Sequence, residues 1–528
     1  MFPTRGALFL TVGLLLAPLP PAQAPIEAPT QAPTASDAPE PIPQQAPAGM
    51  ERIDRADLRK HAVKLASDEF GGRYTGSDGQ VAAARYIAAH FEQLGLRPRG
   101  EKTNKGWSFF MRYPVARTEL DPKRTRIVVG SAEFTTGFAV IRGKKNDRVD
   151  LRGRFVWCGS GGDEDLPRGV ANVIPVVVLA GGANQGRALR EGFKSAGITR
   201  ALADRGAKAV VFCMLDDRGA AAEAFNYSTM LAGKPMLQYG QGPRRSVPPG
   251  NVPAVYVNRK ISEALFAALG VDVQGDVARP PKNIKRASGR LQLDITEDPK
   301  SYALNVVGCV EGSDPSLRDE AVVFSAHMDH MGTRIDGDAF NGADDNASGT
   351  SGLLELAEAV AKGSAPRRSV LFVSVSGEEE GLWGSHWFSE NPTWELQKLV
   401  ADVNIDMIGR VADLSGTHGI SMTPSYRHNE FNTLVRDAAR LAQDLGITEL
   451  TSGDTYYERS DHYNFARKGV PVVFFCDGEH EDYHRVTDHA DKLDFAKMER
   501  VTRLAYWVGI EAANAKGRPQ RLGAQDGW

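Results

Sequence analysis

A dense cluster of carboxylates and imidazoles occupies one stretch, 325-SAHMDHMGTRIDGDAFNGADDNASGTSG-352, which holds two histidines and five aspartates. It directly follows the apolar run 321-AVVF-324, so it lies at the end of a predicted buried strand. Unpaired carboxylates in one cleft raise one another's pKa, and a bound cation removes this conflict. Mixed histidine and carboxylate ligands suit Zn²⁺, whereas Ca²⁺ and Mg²⁺ prefer oxygen ligands. The cluster therefore predicts a zinc site whose open position holds an activated water.

The elements that must position this cluster alternate between apolar strands and amphipathic helices, which indicates a largely parallel sheet covered on both faces. The predicted strands are 303–310, 321–326, 369–376, 399–405 and 470–475, and the predicted helices are 351–362, 429–446 and about 495–514. In such sheets, functional groups collect at the carboxyl ends of the strands. We therefore expect the histidine and aspartate cluster, 378-EEE-380, Asp406 and 480-HEDYHRVTDH-489 to meet at one edge.

Six short motifs follow one another along the chain: 326-AHMDH-330, 342-GADDNASG-349, 377-GEEEGLWGS-385, 404-NIDMIG-409, 460-SDHYNF-465 and 483-YHRVTD-488. In this order they resemble the motifs of the co-catalytic di-zinc aminopeptidases, metallopeptidase family 28, which includes bacterial leucyl aminopeptidases and aminopeptidase Y. The resemblance covers about 50–125 and 290–515. It implies the zinc-peptidase fold, two zinc ions per chain and hydrolysis of peptides at a free N-terminus.

The resemblance also implies a role for each matched residue. Glu378 matches the general base that takes a proton from the attacking water, and Asp329 matches the carboxylate that orients a metal-bound histidine. The first aspartate of GADD matches the bridging ligand, and the family often has a cis peptide bond between the two aspartates. The implied metal ligands are His327, Asp344, Glu379, Asp406 and His484.

Several residues near the motifs have less specific expectations. A hydroxyl at Tyr456, Tyr457 or Tyr483 could donate to a developing oxyanion, although ordinary packing explains each equally well, and His462 is expected to support the site through hydrogen bonds. The other nearby histidines, His330, His480 and His489, are off the motifs and are expected at the surface. The chain has HRVTD where HTPxD is commoner in the family, which leaves the contacts beside His484 open.

The overall prediction is an α/β chain with a mostly parallel mixed sheet sandwiched by helices and an inserted, smaller β-rich domain. Residues 125–289 resemble a protease-associated domain through 201-ALADRGAKAVVFC-213 and 252-VPAVYVNRKISEALF-266, and they separate the two parts of the catalytic domain, 50–124 and 290–515. A C-terminal tail, 516–528, follows. The four cysteines form no CxxC pair, and most are expected to be buried free thiols.

The N-terminal region predicts export. Arg5, the apolar run 6–17 and 22-AQA-24 are typical of a signal peptide, here 1–24, and the Pro- and Ala-rich residues 25–49 are typical of a disordered linker. The predicted location is therefore periplasmic or extracellular, with no stable membrane insertion. A net charge of −3 and a pI near 6.4 argue against nucleic-acid binding.

The resulting functional prediction is an exported di-zinc aminopeptidase acting on peptides or protein N-termini. A carboxypeptidase or dipeptidase of the same fold and a glutaminyl cyclase-like enzyme are the alternatives, although the insert speaks against the cyclase. A receptor-like binding protein is disfavoured because all the matched ligand positions and the base are present. The chain has no GxSxG motif, so a serine hydrolase of the nucleophile-elbow type is also disfavoured.

Overall fold

The computed structural model describes residues 41–121, 123–141, 148–161, 170–179, 197–214, 236–239, 252–272, 285–298, 300–334 and 337–528. The predicted signal peptide and most of the predicted linker lie outside these residues. The strands are β1 (Arg97–Pro98), β2 (Lys102–Thr103), β3 (Gly106–Trp107), β4 (Phe110–Leu120), β5 (Arg126–Val129), β6 (Ala132–Phe134), β7 (Phe138–Ile141), β8 (Val149–Trp157), β9 (Val173–Leu179), β10 (Val210–Met214), β11 (Met236–Tyr239), β12 (Ala254–Val257), β13 (Arg286–Leu293), β14 (Ile295–Asp298), β15 (Tyr302–Val310), β16 (Ala321–His327), β17 (Ser369–Val375), β18 (Leu399–Ile405), β19 (Gly419–Thr423), β20 (Glu449–Ser452) and β21 (Val472–Cys476).

Of the α-helices with both ends described, two precede β1, one lies between β12 and β13, and five follow β16. Several begin at a side-chain cap, since Asp54, Asn432 and Asp494 each accept a backbone N–H of the first turn. The α-helices with both ends described are Arg55–Leu65, Asp78–Gln93, Arg259–Leu269, Gly349–Lys362, Trp383–Glu390, Thr433–Ala442, His462–Ala466 and Phe495–Asn514. Residues 197–204 are also helical.

The larger sheet has eleven strands, most of them in the order β11-β4-β15-β17-β16-β18-β21-β19-β20. Its centre is parallel, because β16 pairs in parallel with both β17 and β18, and β18 with β21. Antiparallel pairs flank this centre, for example β15 with β17 and β19 with β21. The sheet is therefore mixed, and the prediction of a mostly parallel sheet is correct only for its centre. Apolar runs reveal buried strands but not the direction of their neighbours.

The second sheet has eight strands in the order β6-β5-β13-β8-β9-β10-β12-β7. It takes its strands from the predicted insert and has separate hydrophobic clusters, in which Phe155, Val211 and Leu265 are fully buried. One short strand of the insert, β11, does not join it and instead pairs with β4 of the larger sheet. Both sheets belong to the same compact unit, Pro39–Trp528.

Residues near both ends of the described chain pack on the main body. The Tyr506 hydroxyl donates to the Ala48 carbonyl at 2.6 Å, so the last residues of the predicted linker are ordered. In the predicted tail, the Leu522 N–H donates to the Phe431 carbonyl at 2.7 Å.

Two further expectations concern the membrane and the cysteines. None of the helices in the described part of the chain is both long and apolar enough to span a membrane. All four cysteines are buried and form no disulfide among the described residues, which agrees with the expectation for most of them; they are Cys158, Cys213, Cys309 and Cys476.

Candidate metal centre

The carboxyl ends of the central parallel strands bring the predicted site residues together. His327 is the last residue of β16, and Asp406 directly follows β18. Glu378 and Glu379 follow β17, and His484 lies in the loop after β21. Non-glycine residues with positive φ occur here, including Met407 at 57° and His484 at 55°. Such conformations cost on the order of 1–3 kcal/mol each and gather at functional sites.

The first group of converging ligand atoms consists of His327, Asp345 and Asp406, whose ligand atoms all lie within 4.8 Å of one another. His327 Nε2 lies 3.1 Å from Asp406 Oδ1 and 3.4 Å from Asp345 Oδ1. Burial alone would lower the pKa of His327, but the neighbouring Asp406, Asp329 and Asp345 carboxylates raise it well above its ordinary value. The group therefore concentrates negative charge around one imidazole.

The second group shares Asp345 with the first and adds His330 and Glu379. His330 Nδ1 lies 2.7 Å from Glu379 Oε1. His484 approaches the same carboxylates, with Nε2 at 3.1 Å from Asp345 Oδ2 and 3.2 Å from Glu379 Oε2. Burial would lower the pKa of His484, but Glu379 and Asp345 raise it to about 10. Asp345 thus lies between two sets of ligand atoms.

Asp345, the second aspartate of GADD, is the carboxylate shared by the two groups, which corrects the prediction that Asp344 has this place. The Asp488 carboxylate accepts the N–H groups of both aspartates, at 3.0 Å from Asp344 and 3.3 Å from Asp345. The Gly409 N–H donates to Asp344 Oδ1 at 2.8 Å, and His480 Nε2 lies 3.3 Å from Asp344 Oδ2. These contacts hold the Asp344 side chain away from both groups, while Asp345 faces the imidazoles. The cis peptide bond likewise lies one residue later than predicted, between Asp345 and Asn346.

Glu378 and Asp329 both lie beside the groups of ligand atoms. Glu378 is buried beside the ligands, and burial raises its pKa well above its ordinary value, with Asp406, Glu379 and Asp461 adding to the effect and His327 opposing it. A carboxyl with a raised pKa is suited to carry a proton. Asp329 Oδ1 lies 3.7 Å from His327 Nδ1, and the Thr75 hydroxyl donates to Asp329 Oδ2 at 2.7 Å.

A small cavity borders the site, and only some of the candidate supporting residues line it. It is lined by Asp345, Glu378, Asp406, Met407, Tyr456, Arg459, Ser460, Phe474, Cys476 and Tyr483. Tyr456 and Tyr483 therefore face the cavity, and the Tyr483 ring stacks on His484 with centroids 3.8 Å apart. Tyr457 instead packs against His428, with centroids 4.2 Å apart.

The buried His462 ring stacks on Phe474, which lines the cavity, with centroids 4.3 Å apart. Ser460, in the same motif, does contact the site, because its hydroxyl donates to Asp406 Oδ2 at 2.8 Å.

Three residues near the site were missed or misjudged from the sequence. His330 and His480 have almost fully buried side chains, so their predicted surface positions are wrong, whereas His489 is exposed. The third, Arg73, is fully buried and donates to four carbonyls, those of Leu65, Met328, Asn341 and Gly342. Only the HMDH spacing could have pointed to His330, and no local pattern pointed to Arg73.

The donor set fits zinc. Each group combines imidazole nitrogen with carboxylate oxygen, a mixture that zinc accepts and that Ca²⁺ and Mg²⁺ disfavour. His327 has a carboxylate and a carbonyl on its Nδ1 side, an arrangement that commonly orients a zinc-bound histidine. The residues that would hold the metal are His327, Asp345 and Asp406 on one side and Asp345, Glu379 and His484 on the other, with His330 adjacent.

Sequence comparisons identify relatives of this part of the chain. The model of Peptidase family M28 matches residues 305–508, a range that contains both ligand groups and Glu378. The probable leucine aminopeptidase of Arthroderma benhamiae is 28% identical over 211 residues, which are 38% of this chain and 56% of that protein. Aminopeptidase YwaD of Bacillus subtilis is 26% identical over 191 residues, which are 35% of this chain and 40% of that protein. The match thus spans about half the length of these curated relatives.

Solved structures show a similar fold over most of the chain. The zinc aminopeptidase BSAP from Bacillus subtilis aligns with a TM-score of 0.54 at 16% identity and covers 87% of this chain and 95% of that one. A peptidase M28 precursor from Shewanella amazonensis aligns with a TM-score of 0.53 at 17% identity and covers 90% and 98%. The resemblance that the motifs predicted is thus supported: residues 305–508 match the model of Peptidase family M28, and the matched relatives include leucine aminopeptidases.

Proposed function

We propose that this protein is an exported metallo-aminopeptidase that holds two zinc ions and hydrolyses the N-terminal peptide bond of peptides with a free α-amine. The observation that supports this proposal most directly is the shared carboxylate of Asp345, which lies between two groups of ligand atoms. The similarity to a probable leucine aminopeptidase and to a zinc aminopeptidase favours the same chemistry.

The residues around the ligands have distinct roles in this reaction. When bound, two zinc ions would polarise the scissile carbonyl and lower the pKa of a water molecule. Glu378 takes a proton from the attacking water and returns it to the leaving amine, as its buried carboxyl beside the ligands allows. Asp329 orients His327, and the Ser460 hydroxyl fixes Asp406. Tyr456 and Tyr483 line the cavity where a hydroxyl donor could reach the substrate.

The charge and shape of the cavity favour a free amine and an apolar first residue. Three carboxyl groups line it, and its one lining cation, Arg459, is paired with Glu479 at 2.8 Å. Excess negative charge attracts an ammonium group, while Met407, Phe474 and Tyr483 provide an apolar wall for a side chain. An N-acetylated peptide loses the ammonium and leaves buried carboxylates unpaired, which costs about 1–3 kcal/mol or more.

The test compares leucine-containing dipeptides with free termini, with an acetylated N-terminus and with an amidated C-terminus. We expect kcat/KM to collapse on acetylation and to change little on amidation, and we expect a chelator to abolish the activity and added zinc to restore it. Activity lost only on amidation would indicate a carboxypeptidase. Cyclisation of N-terminal glutamine without peptide hydrolysis would indicate the cyclase-like alternative.

A further inference from the structure

The short strand β11 connects the predicted insert to the sheet that carries the site. It pairs antiparallel with β4, with Tyr239 opposite Val115 and Met236 opposite Thr118. The other described strands of the insert lie in the second sheet. The insert therefore supplies an edge strand to the larger sheet, and the last described residue of that strand is an aromatic one.

The Tyr239 ring lies in an aromatic cluster at the start of helix Trp383–Glu390. Its centroid is 5.4 Å from that of His386, 5.8 Å from Trp383 and 6.4 Å from Trp387. These three residues have the i, i+3 and i+4 spacing that places side chains on one face of a helix. On the other side, the Tyr239 ring lies 6.3 Å from that of Tyr113 on β4. Tyr239 thus fills the space between the edge strand and the helix.

Both Tyr113 and Trp383 contact the turn that carries Glu378. The buried Tyr113 hydroxyl lies 3.0 Å from both the Ser376 carbonyl and the Ser376 hydroxyl. Gly377 has a φ of 75°, and a Cβ at this position would lie 2.5 Å from Tyr113 Oη and 3.0 Å from Trp383 Cβ. The backbone before Glu378 is therefore packed directly between these two aromatic residues.

Hydrogen bonds extend this contact to Glu378 itself. The Trp383 N–H donates to the Gly377 carbonyl at 2.8 Å, and the N–H groups of Gly381 and Leu382 donate to the Glu378 carbonyl at 2.9 Å and 3.0 Å. A shift of helix Trp383–Glu390 would move the acceptor residues of these bonds with it. Since proton transfer needs hydrogen-bond distances, a displacement of this turn on the order of 1 Å can slow catalysis by about a hundredfold.

We propose that Tyr239 of the insert is a positioning residue for the Glu378 turn and acts through Trp383 and Tyr113. The proposal rests on the proposed function only for its kinetic readout. The insert then has a part in catalysis without supplying a metal ligand, because it fixes the place of the proton carrier. The contacts that join Tyr239 to Trp383 and Tyr113 are ring contacts, so the ring is expected to carry the effect.

The experiment compares Tyr239→Ala, Tyr239→Leu and Tyr239→Phe in the full chain. We expect the alanine and leucine variants to lose about 10- to 100-fold in kcat, with KM changed less than about threefold and with zinc content unchanged. The phenylalanine variant should retain kcat within about threefold. The matched control is Tyr302→Ala, since Tyr302 is a 47% exposed tyrosine on β15, which also pairs with β4, and this variant should retain normal kcat.

Hydrogen exchange provides a readout that does not depend on activity. In Tyr239→Ala, the amides of Gly381, Leu382 and Trp383 should exchange faster, while those of central strand β16 stay protected. Unchanged kcat and unchanged exchange in both the alanine and leucine variants would overturn the proposal. Equal losses in the phenylalanine variant would overturn the role of the ring. If the wild type hydrolyses no aminoacyl substrate, the proposed function fails, and the exchange data still decide this inference.

Discussion

The chain has two buried polar clusters whose side chains differ in the direction of their pKa shifts. The metal centre joins His327, Asp345, Glu379, Asp406 and His484. A second cluster, which we call the helix cluster, joins His61, Tyr86, His90 and Glu355 where three helices meet. There, His61 Nδ1 lies 2.7 Å from the Tyr86 hydroxyl, and His61 Nε2 lies 3.7 Å from Glu355 Oε1.

The pKa shifts of Asp345 and His484 in the metal centre are opposite in direction to those of Glu355 and His61 in the helix cluster. In the helix cluster, burial lowers the pKa of His61 to about 3 and raises that of Glu355 to about 8, so both groups are neutral near pH 7. In the metal centre, burial would raise the pKa of Asp345, but His330, His327 and His484 lower it well below its ordinary value. Burial would lower the pKa of the histidines, but the carboxylates raise that of His327 well above its ordinary value and that of His484 to about 10, whereas the pKa of His330 stays lowered.

A metal-ligand cluster can be distinguished from a structural polar cluster by the charge that its carboxyl groups retain. A single carboxyl between imidazoles can become neutral and remain in the core at little cost. Several carboxylates that share the same imidazoles cannot all become neutral. They therefore retain negative charge, which bound cations can neutralise. Burial and residue type are alike in the two clusters, and the number of converging carboxylates distinguishes them.

The largest expected effect comes from the shared carboxylate. Asp345→Asn should reduce zinc binding at both groups and abolish hydrolysis, because Asp345 is the one residue common to them. Elemental analysis after dialysis against zinc, together with kcat/KM, measures both effects. Asp344→Asn is the matched control, since it makes the same change one residue earlier and should retain substantially more zinc. If Asp344→Asn loses both metals while Asp345→Asn keeps them, the bridging residue has been assigned incorrectly.

A smaller effect is expected at the proton carrier. Glu378→Gln should lower kcat by about 10²–10⁴-fold, the usual contribution of general acid–base catalysis, and should retain zinc. Both kcat and the zinc content are measured on the same preparation of the variant. Glu379→Gln should instead lose zinc, because Glu379 contacts His330 and His484. The reverse pattern would show that the roles of these adjacent glutamates are exchanged.

Four of the six motifs lie at or shortly after the ends of buried strands, so the strand pattern pointed to one edge of the sheet, and the predicted bounds of all five strands lie within two residues of those observed. The choice between Asp344 and Asp345 could not be read from the sequence. Adjacent residues of one type differ only through distant contacts, here the Asp488 carboxylate and the Gly409 N–H. The buried state of His330 and the pairing of β11 with β4 also depend on partners far along the chain.

The smallest effect on activity, and the clearest on stability, is expected in the helix cluster. Glu355 has a higher pKa in the folded chain than in the unfolded one, so the folded state binds more protons between the ordinary glutamate value and about pH 8. Stability therefore falls as pH rises through this window, by on the order of a few kcal/mol from this residue. Glu355→Gln keeps an acceptor for the Asp54 N–H but cannot ionise, so it should remove this loss without changing kcat or zinc content.

The measurement is the apparent melting temperature of both proteins from pH 5 to pH 9. The variant should gain relative to the wild type as pH rises, with most of the gain below about pH 8. Glu358→Gln, on the same helix and in an ion pair with Lys362 at 2.6 Å, is the matched control and should show no comparable gain in this window. A parallel pH dependence for wild type and Glu355→Gln would show that Glu355 ionises normally in the fold. Loss of zinc from Glu355→Gln would contradict the separation of the two clusters. It would show that the helix cluster is coupled to the metal centre through helix Gly349–Lys362, which begins shortly after Asp345.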